Sequence, residues 1–200
     1  MRVLITGFPP FPGRPVNPTQ ELVRAITQQK SLVTGCHLQT VELPVEYRAV
    51  EERFAEAVTT HDPDVVLAFG VGKPGPLFRL ETQGVNWDEC EVPDNAGELH
   101  CGQPIIADGP EILRSSLDLE PLHNSLITQG HSVALSDNAG RYVCNHLLYF
   151  GLHYGRAEGM RYRMTFVHVP QPEHGFELEA ALRGLTCLLE TLVAPRDAIA

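Results

Sequence analysis

Cys144, His168 and Glu81 are side chains that could carry out acyl transfer together. A thiol becomes a strong nucleophile when a base takes its proton, and the base needs a third group to fix its tautomer. Cys144 falls in a stretch built to present it. Val133-Ala-Leu-Ser136 is a short apolar run that reads as a buried strand, and Ser136-Asp137-Asn138 is a polar loop. Ala139-Gly140 then leads into a helical pattern in which Val143, Leu147 and Phe150 share a face. This spacing puts Cys144 in the first turn, where unpaired amides and the positive end of the helix dipole favour a thiolate. A strand, a tight loop and a helix that starts with a nucleophile recur in hydrolases. His168 lies near the carboxyl end of the apolar run Met164-Thr-Phe-Val-His-Val169, where an imidazolium needs a partner. Glu81 sits in an extended stretch and could be that partner. Taken singly, the three read first as a core thiol, a satisfied strand-end histidine and a solvated glutamate. Spacing alone does not bring them together.

Other clusters carry less. Cys144-Asn-His146 with His153 matches no common ligand spacing, and His100-Cys101 with Cys90 falls in a turn-rich region. No metal is expected. Ser136 lacks the G-x-S-x-G frame of a serine hydrolase. Gly70-Val-Gly-Lys-Pro-Gly-Pro76 fits neither phosphate-loop spacing, and its prolines remove amide donors. Phe8 and Phe11, on a proline-stiffened loop, are packing residues or the walls of an apolar pocket for a small flat ligand.

The elements that must position these residues alternate. Arg2-Val-Leu-Ile-Thr-Gly7 is a short buried strand. Asn17-Pro18-Thr19-Gln20 is a helix start, with Asn as N-cap and Gln three residues on. A strand over 38–45, a helix over 47–60 and the continuous apolar run Val65-Val-Leu-Ala-Phe-Gly70 follow. The pattern predicts a doubly wound α/β fold. Residues 77–87 read as extended. Residues 101–120 read as mostly irregular, with a short helix after Gly109-Pro110. Helices are expected over 121–129 and 177–193, with Leu178, Leu182, Leu185, Leu189 and Leu192 along one side of the last.

The chain of 200 residues reads as a single domain, 1–200, able to bury a core. Its net charge of -10, with no basic cluster, argues against a nucleic-acid partner. No apolar run approaches the roughly 18 residues that span a bilayer, and the amino terminus reads as a strand instead of a signal peptide. Five irregularly spaced cysteines form no disulfide framework and suggest a reducing cytoplasm.

Several separated motifs resemble the pyrrolidone-carboxylate peptidases, or type I pyroglutamyl peptidases. They are Thr6-Gly-Phe-Pro-Pro-Phe11 with Asn17-Pro18, Leu43-Pro-Val45, Pro63-Asp64, Glu81 with Asn86, Pro93-Asp-Asn95, Ala139-Gly140 with Tyr142-Val-Cys-Asn145, and Phe166-Val-His-Val-Pro170. They run in order over nearly the whole chain. The resemblance implies a three-layer α/β/α sandwich with a mixed, mostly parallel central sheet. It implies a cytoplasmic cysteine exopeptidase that releases amino-terminal pyroglutamate from peptides through a thioester. It also implies no metal or organic cofactor, and a homotetramer or homodimer. Carried over by motif, Cys144 is the nucleophile, His168 the general base and then acid, and Glu81 the residue that orients the imidazole. Phe8, Phe11 and Tyr142 would line the lactam pocket and Asn17 would shape it. The backbone near Val71 and Val143 would read the ring amide and carbonyl.

The chain departs from the family pattern in places. Thr82-Gln83-Gly84 replaces a basic residue, an apolar one and alanine. Glu91 stands where an arginine is common, Asn138 where a small residue is usual, and Pro12-Gly13 where a double glycine is common. A weaker oxyanion site or a changed peptide-side preference would follow. Two rival readings rest on these departures: a hydrolase of another small acyl or amide substrate on the same scaffold, and an impaired relative that only binds pyroglutamyl peptides.

Overall fold

The computed structural model describes residues 1–29 and 32–194, so residues 30, 31 and 195–200 of the expected 1–200 unit lie outside the described residues. The elements run β1 (Arg2–Gly7), α1 (Pro18–Gln28), β2 (His37–Glu42), α2 (Tyr47–His61), β3 (Val65–Val71), β4 (Phe78–Glu81), β5 (Gln83–Val85), β6 (Asp88–Glu89), β7 (Cys101–Gln103), β8 (Ile112–Arg114), α3 (Leu119–Thr128), β9 (Val133–Ser136), α4 (Val143–Ala157), β10 (Arg163–Val169) and α5 (Leu178–Val193).

Six strands form the central sheet in the order β2-β1-β3-β10-β4-β9. The pairs β1–β2, β1–β3, β3–β10 and β4–β9 are parallel, and only β10–β4 is antiparallel. Alternation along the strands sorts their side chains between two cores. Val65, Leu67 and Phe69 of β3 pack with α1, α3 and α5, whereas Val66 and Ala68 pack with α2 and α4. Both faces of the central strands are covered, which is why they read as unbroken apolar runs. The result is the expected α/β/α sandwich.

Local chemistry sets the element ends. Asn17 caps α1 by accepting from the Thr19 amide, with Pro18 in the first helical position. The reciprocal capping bond is not made, because the Gln20 side chain reaches Glu42 instead. Asp62, in the left-handed region at φ 40°, closes α2.

Other expectations are corrected here. The strand predicted to reach residue 45 ends at Glu42. The extended stretch 77–87 splits: β4 joins the main sheet, and β5 pairs with β8 in a separate ladder. The segment after Pro110 is that strand β8 and not a helix. β9 lies at the sheet edge, with Leu135 exposed, so it is not a buried strand. No helix among the described residues is long and apolar enough to cross a membrane.

Candidate active site

The turn before α4 sets the thiol. Ser136 Oγ accepts from the Asn138 amide, and Asn138 Oδ1 accepts from the amide of Gly140, which takes φ 84°. That left-handed residue suits glycine. The N-cap, Tyr142, is extended and gives no side-chain cap, since its hydroxyl donates to the Pro93 carbonyl at 3.1 Å. Among the described residues, α4 thus has no N-cap side-chain bond to its first amides. Cys144 is the second residue of the helix and is half-buried.

His168 is the penultimate residue of β10, and Glu81 is the last residue of β4, its antiparallel neighbour. His168 Nδ1 lies 2.8 Å from Glu81 Oε1, with both side chains buried. Thr165 Oγ1 donates to the Glu81 carbonyl at 2.9 Å and fixes the end of β4. Glu81 Oε2 has no hydrogen-bond partner among the described residues, so this carboxylate is committed to the imidazole. With Nδ1 facing the carboxylate, Nε2 is left as the proton-accepting nitrogen.

Gly70 of β3 and Gly72 just beyond its end bring the thiol and imidazole to one face. A Cβ on Gly70 would lie 2.6 Å from Phe166 Cζ and 3.0 Å from Cys144 Sγ. A Cβ on Gly72 would lie 3.0 Å from His168 Cβ. Cys144 and His168 therefore both lie over the end of β3, where a side chain would displace them. The rings of Phe166 and His168 are 4.8 Å apart.

Beside the thiol lies a small cleft lined by Phe8, Phe11, Asn17, Val45, Val71, Tyr142, Val143 and Cys144. Asn17 contributes shape: its Nδ2 donates to the Pro9 carbonyl, and its Oδ1 accepts from Thr19. Asn95 Nδ2 donates to the Pro10 carbonyl and ties the aromatic loop to the 93–95 turn. The rings of Phe11 and Tyr142 meet at 6.0 Å. The apolarity of this lining suits a small neutral ring held by a few backbone partners.

One expectation reverses. The Cys144 thiol is pushed up to about 12, first by burial and then by the charge of Glu81, against a smaller opposing pull from its own backbone N–H. Desolvation of the charged form outweighs the helix start. The resting side chain is therefore a thiol and not a thiolate.

Phe8, Phe11, Asn17, Val71, Tyr142, Val143 and Cys144 line the cleft, and the Glu81–His168 pair lies beside it. The structure adds Val45 as a lining residue, and Gly70 and Gly72 as the space for the thiol and imidazole. Glycines after an apolar strand were visible in the sequence, but they first read as a loop. Asn145, next to the thiol, accepts from the Val85 amide and donates to the Val85 and Trp87 carbonyls, so it pins β5 to α4. Gly84 is explained by the same approach, since a Cβ there would lie 2.9 Å from the Tyr149 nitrogen. Glu91 is exposed, in the loop that also supplies the Pro93 carbonyl.

An α/β/α sandwich with a thiol at a helix start, beside a histidine–carboxylate pair from neighbouring strands, has the construction of a cysteine hydrolase. The family model described as pyroglutamyl peptidase matches residues 1–184, and the chain belongs to this cysteine peptidase family. It is 34% identical over 203 residues to the pyrrolidone-carboxylate peptidase of Vibrio vulnificus, covering 95% of this chain and 92% of that one. The Staphylococcus aureus pyrrolidone-carboxylate peptidase is 32% identical over 209 residues, covering 98% and 96%. Among solved structures, the pyrrolidone carboxyl peptidase of Fervidobacterium islandicum superposes with a TM-score of 0.90 at 29% identity, over 96% of this chain and 98% of that one. Bacillus amyloliquefaciens pyroglutamyl peptidase I gives 0.89 at 26%, over 95% of each.

Proposed function

We propose that this chain hydrolyses the amide bond after an amino-terminal pyroglutamyl residue, with Cys144 as nucleophile, His168 as base and acid, and Glu81 as the group that orients His168. The observation that carries this reading is the 2.8 Å His168–Glu81 contact beside Cys144, at the edge of a small aromatic pocket. The lactam ring enters between Phe8, Phe11 and Tyr142. Backbone groups near Val71 and Val143 meet its amide and carbonyl.

The thiol proton passes to His168 Nε2 as sulfur attacks the carbonyl carbon that follows the ring. The carbonyl oxygen becomes an oxyanion, which the uncapped first-turn amides of α4 stabilise. The C–N bond then breaks, the peptide amine takes the proton from His168, and a thioester remains. Water gives a proton to His168 and attacks the thioester. The proton returns to sulfur, and 5-oxoproline leaves. Glu81 faces the imidazolium through both steps and lowers its cost. It also raises the thiol, so proton transfer and attack are coupled.

The same reading places the enzyme in the cytoplasm, where its five free cysteines stay reduced. It makes the chain a homodimer or homotetramer, in keeping with the edge strand β9, which exposes Leu135. The test of activity is parallel incubation with chromogenic pyroglutamyl, alanyl and prolyl amides. Cleavage of the first alone is expected. Folded protein that leaves it intact would overturn the proposal.

A further inference from the structure

Outside the pocket, three side chains from distant segments converge. Asp88 opens β6, His100 directly precedes β7, and His146 is the fourth residue of α4. Asp88 Oδ2 lies 2.6 Å from His146 Nδ1 and 2.9 Å from His100 Nδ1. The three ligand atoms are all within 4.8 Å of one another, and all three residues are buried. Each far ring nitrogen faces its own carboxylate: His146 Nε2 lies 2.9 Å from Glu51 Oε1, and His100 Nε2 lies 3.2 Å from Glu98 Oε1. Asp88 Oδ1 is buried without a partner among the described residues. The Tyr47 ring stacks on His100 at 3.6 Å and meets His146 edge-on at 5.2 Å, which fixes both ring planes.

We propose that Asp88, His100 and His146 bind a divalent transition-metal ion, zinc by donor type, at a site separate from the catalytic thiol. Two imidazoles and one carboxylate form a borderline donor set that suits zinc and poorly suits calcium or magnesium. A carboxylate on the far nitrogen of each ligating histidine is the arrangement that orients imidazoles toward an ion. Here Glu51 and Glu98 leave both Nδ1 atoms aimed at one Asp88 oxygen. The ion takes the place of the protons shared between Nδ1 and Oδ2. The donors then relax outward to the spacing of about 3.3 Å that tetrahedral zinc bond lengths require. Asp88 Oδ1 or a water fills the fourth position. Glu51 and Glu98 are partly exposed and mark the way in. An ion there would join β6, the residue before β7 and the first turn of α4, which are otherwise linked through hydrogen bonds.

The test uses full-length Cys144→Ser protein, dialysed against a chelator, so that the catalytic sulfur cannot ligate. Titration with zinc chloride, followed by calorimetry, should show one equivalent bound. His100→Ala in that background should lose at least about 100-fold in affinity. Glu98→Gln, which removes only the orienting carboxylate, should lose about 10–100-fold. Cobalt(II) loaded into the Cys144→Ser protein should give visible bands of a tetrahedral nitrogen–oxygen site with no thiolate charge-transfer band. Absence of stoichiometric zinc binding, unchanged affinity in His100→Ala or a cobalt–thiolate band would each overturn the proposal. If His100→Ala does not fold, the cobalt spectrum and Glu98→Gln decide it.

Discussion

His168 Nδ1 and Glu81 Oε1 lie 2.8 Å apart across the only antiparallel pair of the main sheet, among the described residues. The carboxylate comes from the end of β4, which points opposite to β10, so the two side chains meet without a loop between them. Glu81→Gln keeps the shape but can donate to Nδ1, which stabilises the wrong tautomer. We expect kcat to fall about 10²–10⁴-fold with KM little changed. Steady-state kinetics on a pyroglutamyl amide check this, and a fall confined to KM would contradict it.

The raised Cys144 thiol gives a pH signature. Burial and the Glu81 charge both disfavour the thiolate, so the reactive form stays a small fraction until pH approaches about 12. Alkylation of Cys144 by iodoacetamide in chelator-treated protein should climb about tenfold per pH unit from neutrality into the alkaline range, without a plateau. Removing the nearby charge with Glu81→Gln should shift that profile to lower pH. Mass-spectrometric rates at Cys144 decide the matter, and a plateau near neutral pH would indicate a resting thiolate.

Gly84→Ala introduces the residue that the family pattern favours and should nonetheless destabilise this chain. Its Cβ would fall 2.9 Å from the Tyr149 nitrogen and 3.0 Å from Tyr149 Cα, which are backbone atoms of a packed helix. Forcing α4 away from β5 should cost about 1–3 kcal/mol. Urea denaturation provides the measurement, and an unchanged midpoint would refute the close approach.

Phe11→Ala removes one wall of the pocket and leaves the catalytic groups in place. Losing the contact of this partly buried ring with the substrate should raise KM by about 5–30-fold, equivalent to about 1–2 kcal/mol, with a smaller change in kcat. A selective loss of kcat would instead point to a role in orienting the reacting carbonyl.

The central strands, the caps of α1 and the long α5 were legible in the sequence because each has a strong local signal: an unbroken apolar run, Asn17-Pro18, or a leucine face. Cys144, His168 and Glu81 were legible as candidates from their places near strand and helix ends. Their meeting was not, because it depends on β10 entering between β3 and β4. The two- and three-residue strands β5 to β8 are too short to show a period. Asp88, His100 and His146 were missed as a group because their sequence spacings carry no ligand pattern, and only the ladder β6–β7 and the start of α4 unite them. The thiol was misread because a helix start is visible in sequence and burial is not.

The strand that carries His168 is the last of the sheet to be synthesised, yet it stands in fourth place, between β3 and β4. While a nascent chain emerges from the ribosome, Cys144 becomes available before residues 163–169 exist. Without β10, the strands β2-β1-β3 and β4-β9 have no pairing between them, and the proposed base of Cys144 is missing. On the proposed mechanism, a chain that ends before residue 163 should therefore cleave no pyroglutamyl amide.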